Sequence, residues 1–188
     1  GRRHTLYIKG GILYGLGDNR WNKLTTSNIE VYSSPVKITD TSMSKVFAGE
    51  HSSFCIDTSG NLYYFGWRST YSFITGDGDG KLHKIMSGVA SVSMQDEHAI
   101  IVAKDGKVYG WGMNSYNQIS SSSASAFSSP ELISNSAKGG AAGSWFSAVL
   151  NNDGSVTVWG KNTSGIAGNG SSSEKISKTT IVASKFNK

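Results

Sequence analysis

Cysteine is nearly absent from this sequence: Cys55 is the only one in 188 residues. That excludes an internal disulfide framework and any cysteine-based zinc cage. Charge is scarce too, at 16% of the chain where about 25% is usual. Long-helix and coiled-coil proteins, rich in Glu, Lys, Ala and Leu, are thereby excluded. No apolar run approaches the ~20 residues of a membrane-spanning helix, and no leader-like segment opens the sequence, so a chain that does not span a membrane is expected. In place of charge stand Ser, Thr, Asn and Gly, together 79 positions. Aromatics at 11% supply enough apolar surface to drive collapse, which argues against disorder. The balance points to a turn-rich, all-β chain.

The net charge of +5 is spread along the sequence. Residues 1–94 carry ten basic and seven acidic side chains, and the remainder carry eight and six. A nucleic-acid footprint needs a concentrated basic stripe, so no nucleic-acid partner is expected. Lys175, Lys178, Lys185 and Lys188 gather near the C-terminus, where they read as a solvated end.

A repeat organises the rest. Gly11-Ile-Leu-Tyr-Gly-Leu-Gly17 recurs as Gly60-Asn-Leu-Tyr-Tyr-Phe-Gly66, Gly106-Lys-Val-Tyr-Gly-Trp-Gly112 and Gly154-Ser-Val-Thr-Val-Trp-Gly160. The closing glycines lie 49, 46 and 48 residues apart. Before each anchor comes a short apolar run, such as Ile100-Ile-Val102. In the last three copies a turn rich in Asp, Asn and Gly separates run from anchor, the pattern of a β-hairpin. After the anchor, a polar loop leads to another short strand, opening at Pro35 and Pro130 in two copies. Units of this length with three or four strands indicate propeller blades or a β-solenoid. The closing glycine, which permits close backbone approach, favours the propeller, with Leu16, Phe65, Trp111 and Trp159 wedged between blades. The repeats run approximately over residues 1–42, 43–88, 89–135 and 136–188 of a single domain.

These units resemble the regulator of chromosome condensation repeats. The resemblance rests on Glu97-His98 leading through Asp105-Gly-Lys-Val-Tyr-Gly-Trp-Gly112 to Asn117-Gln-Ile119, on Val46-Phe-Ala-Gly-Glu-His51 and on Trp159-Gly-Lys-Asn162. It implies an all-β propeller of about four blades. The family's best-known propellers have seven, and the first copy here lacks its opening strand. The C-terminal stretch 181–186 is therefore expected to complete the first blade beside residues 5–17. The rival arrangements are an arc of a larger propeller, self-association, or a place within a larger parent assembly.

No catalytic constellation is evident, and the chain is expected not to be an enzyme. His51 and His98 are assigned hydrogen bonds to turn backbone, Asp57, Asp105 and Asp153 to hairpin turns, and Cys55 to the core. Asp77 and Asp79, set among glycines, offer oxygens that calcium could take, although a plain tight turn is the simpler assignment and no other cofactor is expected. The loops after and between strands carry Arg20, Trp21, Trp67, Arg68, Tyr71, Tyr116 and Trp145, residue types of recognition surfaces. They either form a ligand-binding patch or cover their own blades. The leading reading is a binding module for a protein or cell-surface glycan, of the receptor-binding or adhesion kind found on bacterial surfaces and phage tails, and so extracellular or on a virion or cell surface. The alternatives that the resemblance implies are a guanine-nucleotide exchange factor and a propeller that inhibits an enzyme.

Overall fold

The computed structural model describes residues 1–49, 52–66, 79–95 and 98–181. Its strands fall into four antiparallel sheets, each assembled from consecutive strands. The first holds β1 (His4–Lys9), β2 (Ile12–Asp18) and β3 (Val31–Thr39). The second holds β4 (Met43–Ala48), β5 (Ser52–Asp57), β6 (Leu62–Gly66) and β7 (His83–Met86). The third runs from β8 (Val89–Gln95) through β9 (His98–Ala103) and β10 (Val108–Met113) to β11 (Ala126–Ser134). The fourth runs from β12 (Gly139–Gly143) through β13 (Phe146–Leu150) and β14 (Val156–Lys161) to β15 (Lys175–Ile181). These are the blades of a repeat-built β-propeller. They group into two compact units, one up to Val89 and carrying the first two sheets, the other from Ala90 and carrying the last two.

The repeated anchor is the third strand of a blade, or the second in the first sheet, and its closing glycine has a specific task. Gly17, Gly66, Gly112 and Gly160 have φ of 102°, 112°, 103° and 113°. This conformation is nearly closed to side-chain-bearing residues. In three of the blades the ladder to the outer strand shifts register across the preceding residue, between Gly15 and Gly17, Gly110 and Gly112, and Val158 and Gly160. The anchor therefore ends in a bulge that turns the chain out into the polar loop. Close approach matters as well, since a Cβ on Gly160 would lie 2.6 Å from the Trp145 carbonyl oxygen.

The prolines sit differently from expectation. Pro35 and Pro130 lie inside β3 and β11 rather than opening them. Both strands are outermost in their sheets, where a missing N–H breaks no central ladder. In the first sheet no fourth strand occurs among the described residues. Of the segment expected to complete it, Ile181 pairs with Val156 in the fourth sheet, and 182–186 lie outside the described residues.

Within each unit the apolar side chains pack between sheets. Phe65 of the second sheet meets Leu13 of the first, together with Met43 and Cys55. Trp159 of the fourth sheet meets Ile100, Val102 and Val108 of the third. Cys55 is fully buried and its thiol pKa is pushed up to about 12 by that burial, so it is an inert core side chain. Backbone hydrogen bonds stitch the same pairs: Met43 N donates to Gly11 O (2.7 Å) and Ala137 N to Gly106 O (2.9 Å).

His98, expected to bond turn backbone, has a backbone hydrogen bond with Phe146 and also a side-chain partner in the next sheet, an arrangement that His4 shares. His4 Nε2 lies 2.8 Å from Ser53 Oγ, and His98 Nε2 lies 3.1 Å from Ser147 Oγ, each pair 49 residues apart. Ser147 Oγ also donates to the Gln118 carbonyl at 2.6 Å. Burial lowers the His98 pKa from its ordinary 6.5 to about 4, outweighing a backbone hydrogen bond with Phe146 that raises it. On acidification the unfolded chain therefore takes up this proton near pH 6.5, while the folded protein resists until about pH 4. The stabilising contribution is complete above pH 6.5 and is lost as pH falls toward 4, by about 3 kcal/mol in all. Urea unfolding of the wild type should weaken more steeply across that window than unfolding of His98→Gln, which has no such titration. Parallel slopes for the two proteins would refute this account.

Candidate functional site

The polar loop after each anchor is built around one asparagine. Asn19, Asn114 and Asn162 are all buried. Asn19 Oδ1 accepts from Leu24 N and Thr25 N, while its Nδ2 donates to Ser27 O and Ile29 O. Asn114 Oδ1 accepts from Ile119 N and Ser120 N, and Nδ2 donates to Ser120 O and Ala124 O. Asn162 repeats the arrangement with Ala167 N and Ser171 O. Only an amide has acceptor and donor side by side, so it can satisfy both rims of a loop at once. Three residues on, the chain turns left-handed at Asn22 (φ 55°), Asn117 (φ 60°) and Gly165 (φ 66°). All three stand two residues after a closing glycine, a regularity that the sequence displays without indicating a role.

The clamp fixes what the loop presents. Trp21 and Tyr116 occupy the same offset from Asn19 and Asn114. Trp21 is 48% exposed and sits at φ 62°, a conformation costly for a bulky residue. Its ring is flanked by the cations of Arg20 (5.7 Å) and Lys23 (5.4 Å). Asp18 holds both, with contacts of 2.7 Å to Arg20 Nη2 and 3.2 Å to Lys23 Nζ. The guanidinium of Arg20, hydrogen-bonded to Asp18, keeps that carboxyl well below the usual carboxylate range. A shallow cavity of about 360 Å³ lies against this turn, lined by Arg20, Trp21, Asn22 and Asn28 to Glu30. The exposed Ile29 and Val31 continue the apolar surface nearby.

In the other unit, loops from adjacent sheets meet. Tyr116 follows β10, and Trp145 sits in the two-residue turn between β12 and β13. Their rings contact edge to face with centroids 5.5 Å apart. Trp145 has φ 66°, a value such turns usually give to Gly or Asn. Lys161 Nζ stands 4.8 Å and Lys175 Nζ 5.7 Å from the Tyr116 ring centre. Sequence reading missed Lys161 and assigned Lys175 to a solvated end. Beside this cluster runs a groove of about 400 Å³ between β11 and β15, floored by Ile119 and Trp159 and walled by Leu132, Ile133 and Ile176.

Of the remaining expected site residues, Trp67, Arg68, Tyr71 and Asp77 lie outside the described residues, as does His51. Asp79 is occupied locally: its Oδ1 lies 2.9 Å from His83 Nε2 and accepts from Lys81 N. Among the described residues no three His, Cys, Asp or Glu side chains converge as a metal site requires. Asp57, Asp105 and Asp153 each accept a backbone N–H in their hairpin turns, from Asn61, Lys107 and Ser155.

Comparison with known proteins agrees with this architecture. The regulator of chromosome condensation (RCC1) repeat matches residues 89–118 and 138–166. The ultraviolet-B receptor UVR8 of Arabidopsis thaliana is 31% identical over 129 residues, which is 63% of this chain and 29% of that protein. Among solved structures, human WBSCR16 superimposes with a TM-score of 0.81 at 22% identity, covering 99% of this chain and 51% of that one. Prp20p from Saccharomyces cerevisiae, in a structure described with its binding properties to Gsp1p and histones, gives a TM-score of 0.81 at 19% identity, covering 97% and 49%. The chain thus spans about half the length of these solved structures and under a third of UVR8. No helix among the described residues is long and apolar enough to cross a membrane.

Proposed function

We propose that this chain, whose residues 89–118 and 138–166 match the regulator of chromosome condensation repeat, is a non-catalytic protein-binding module that presents blade loops on a rigid scaffold. One observation carries the reading: buried asparagines fix the loops that hold Trp21 and Tyr116, and Tyr116 packs against Trp145 in a tight turn of the next sheet, so the three stand as ready-placed anchors. Strain at Trp21 and Trp145 costs stability, and such strain persists where the exposed group has a use. Rigid aromatics beside Arg and Asn lose little entropy on binding. The described binding of Prp20p to Gsp1p and histones supports a protein partner over a glycan. The low charge and the abundance of small polar residues support a receptor-binding or adhesion role on a bacterial surface or phage tail.

The test is an array of surface proteins and glycans probed with the wild-type chain, Trp21→Ala and Trp145→Ala. Binding to a protein that weakens tenfold or more (~1.4 kcal/mol) in either folded variant is the expected result. Protein binding indifferent to both substitutions would sink the loop assignment. Accelerated nucleotide release from a small GTPase, with no surface ligand bound, would instead establish the exchange-factor alternative.

A further inference from the structure

Two lysines beside the aromatic pair have no partner that the fold requires. The β14–β15 register sets Lys161 directly opposite Lys175, an arrangement of like charges that weakens an antiparallel pair. Both ammonium groups converge on the Tyr116 ring, whose other neighbour is Trp145. Among the described residues, no carboxylate forms an ion pair with either of these lysines, whereas Arg20, Lys23, Lys37, His83 and Lys107 each have one. The fold therefore tolerates two adjacent positive charges on an aromatic platform without an ion-paired carboxylate.

The groove next to it adds apolar surface. Ile176 follows Lys175 into its wall, and Asn117 follows Tyr116. Leu132 is 45% exposed on the far side. Lys178 reaches across from β15 to donate to the Ile133 carbonyl at 2.8 Å, with its Nζ 5.3 Å from the Trp159 ring centre. A cationic platform thus adjoins a trough of mixed lining, with Ile119, Leu132, Ile133, Trp159 and Ile176 as its apolar part, bounded by the outer strands of two neighbouring sheets.

We propose that Lys161, Lys175, Tyr116 and Trp145 seat a carboxylate from an extended acidic segment of a partner protein, whose neighbouring apolar side chain enters the groove between β11 and β15. This rests on the protein-binding reading and specifies its partner. Charge complementarity selects an acidic ligand, because two ammonium groups without a counter-ion present donors to a carboxylate. The trough favours a polypeptide, because Leu132, Ile133 and Ile176 offer an apolar side chain a place to bury while Ser120, Ser121 and Ser177 beside them can take up backbone hydrogen bonds.

Fluorescence anisotropy on the full chain tests it, with a short labelled peptide alternating Glu and Leu, its Gln-for-Glu counterpart, and labelled oligothymidylate. The Glu peptide should bind, and the Gln peptide should bind about tenfold more weakly. Lys161→Gln with Lys175→Gln should lower affinity for the Glu peptide by a similar factor, and Leu132→Asn should lower it for both peptides. Removing the like charges should leave thermal stability unchanged or raised. If the double variant unfolds, Lys175→Gln alone, at an exposed position, carries the same prediction. No binding of the Glu peptide, binding indifferent to the lysines, or tighter lysine-dependent binding of the oligonucleotide would each overturn the inference. A protein captured through Trp21 but indifferent to the lysines would overturn this inference while leaving the binding-module reading standing.

Discussion

Asn114→Ala should cost the protein about 3 to 4 kcal/mol, a large effect for one small polar side chain. The amide makes four hydrogen bonds to backbone, to Ile119 N, Ser120 N, Ser120 O and Ala124 O, at 2.8–3.0 Å. Each contributes about 1 kcal/mol, and alanine leaves groups in a buried setting unpaired, which adds to the loss. Asn114→Asp keeps both acceptor bonds but turns a carboxylate oxygen toward two carbonyl oxygens, so it should not rescue. Urea denaturation of the two variants beside wild type measures this. A loss under about 1 kcal/mol would show that the loop holds its shape without the amide. Because Tyr116 rides on the same loop, the folded fraction of Asn114→Ala should also lose ligand affinity.

The second large effect concerns the position two residues before the closing glycine, which is itself glycine in the first and third blades, Gly15 and Gly110. A Cβ on Gly110 would stand 2.7 Å from Ile119 Cγ2, and one on Gly15 would stand 2.5 Å from Leu24 Cδ2. Gly110→Val should therefore destabilise by about 3 kcal/mol through overpacking, and Ile119→Ala by a similar amount through the cavity it leaves. The fourth blade shows the compensation. There the pair at the same nine-residue separation is Val158 with Ala167, both buried. Gly110→Val combined with Ile119→Ala should consequently be more stable than either single variant, with a coupling of about 2 kcal/mol. Additive losses in the double-mutant cycle would mean that the two positions do not share one volume.

Both predictions depend on features that were partly visible in the sequence. The all-β class and the blades were legible because the anchor combines a strand of period two with a glycine at a fixed place, and few folds demand both. The glycine was explained by close approach alone. Its φ above 100° and the accompanying bulge follow from the way the outer strand pairs, which the linear pattern does not display. Pro35 and Pro130 look like strand openings in the linear pattern, yet an edge strand can run through a proline, and edge position is a property of the sheet. The His98–Ser147 contact was missed because it joins residues of two different repeats.

The candidate site divides along the same line. Trp21, Tyr116 and Trp145 were found from residue type and loop position. Lys161 was not, because the cluster is made by residues 116, 145, 161 and 175, drawn from two blades. Periodicity reports where a residue sits within its own repeat. Which loops of neighbouring repeats meet depends on blade packing, and no repeat pattern encodes it.

The His4–Ser53 and His98–Ser147 contacts have a consequence for how the protein opens. Each ties the start of a strand in one sheet to a strand of the next, 49 residues away, in a buried setting. A repeat array of independent blades would fray one unit at a time, each with its own small opening free energy. Here a sheet that detaches takes with it the partner of a buried histidine, so its neighbour is destabilised in the same event. The contacts thus convert two adjacent repeats into one cooperative opening unit. In such a unit the loops can drift in length and composition while the frame behind them opens only as a pair.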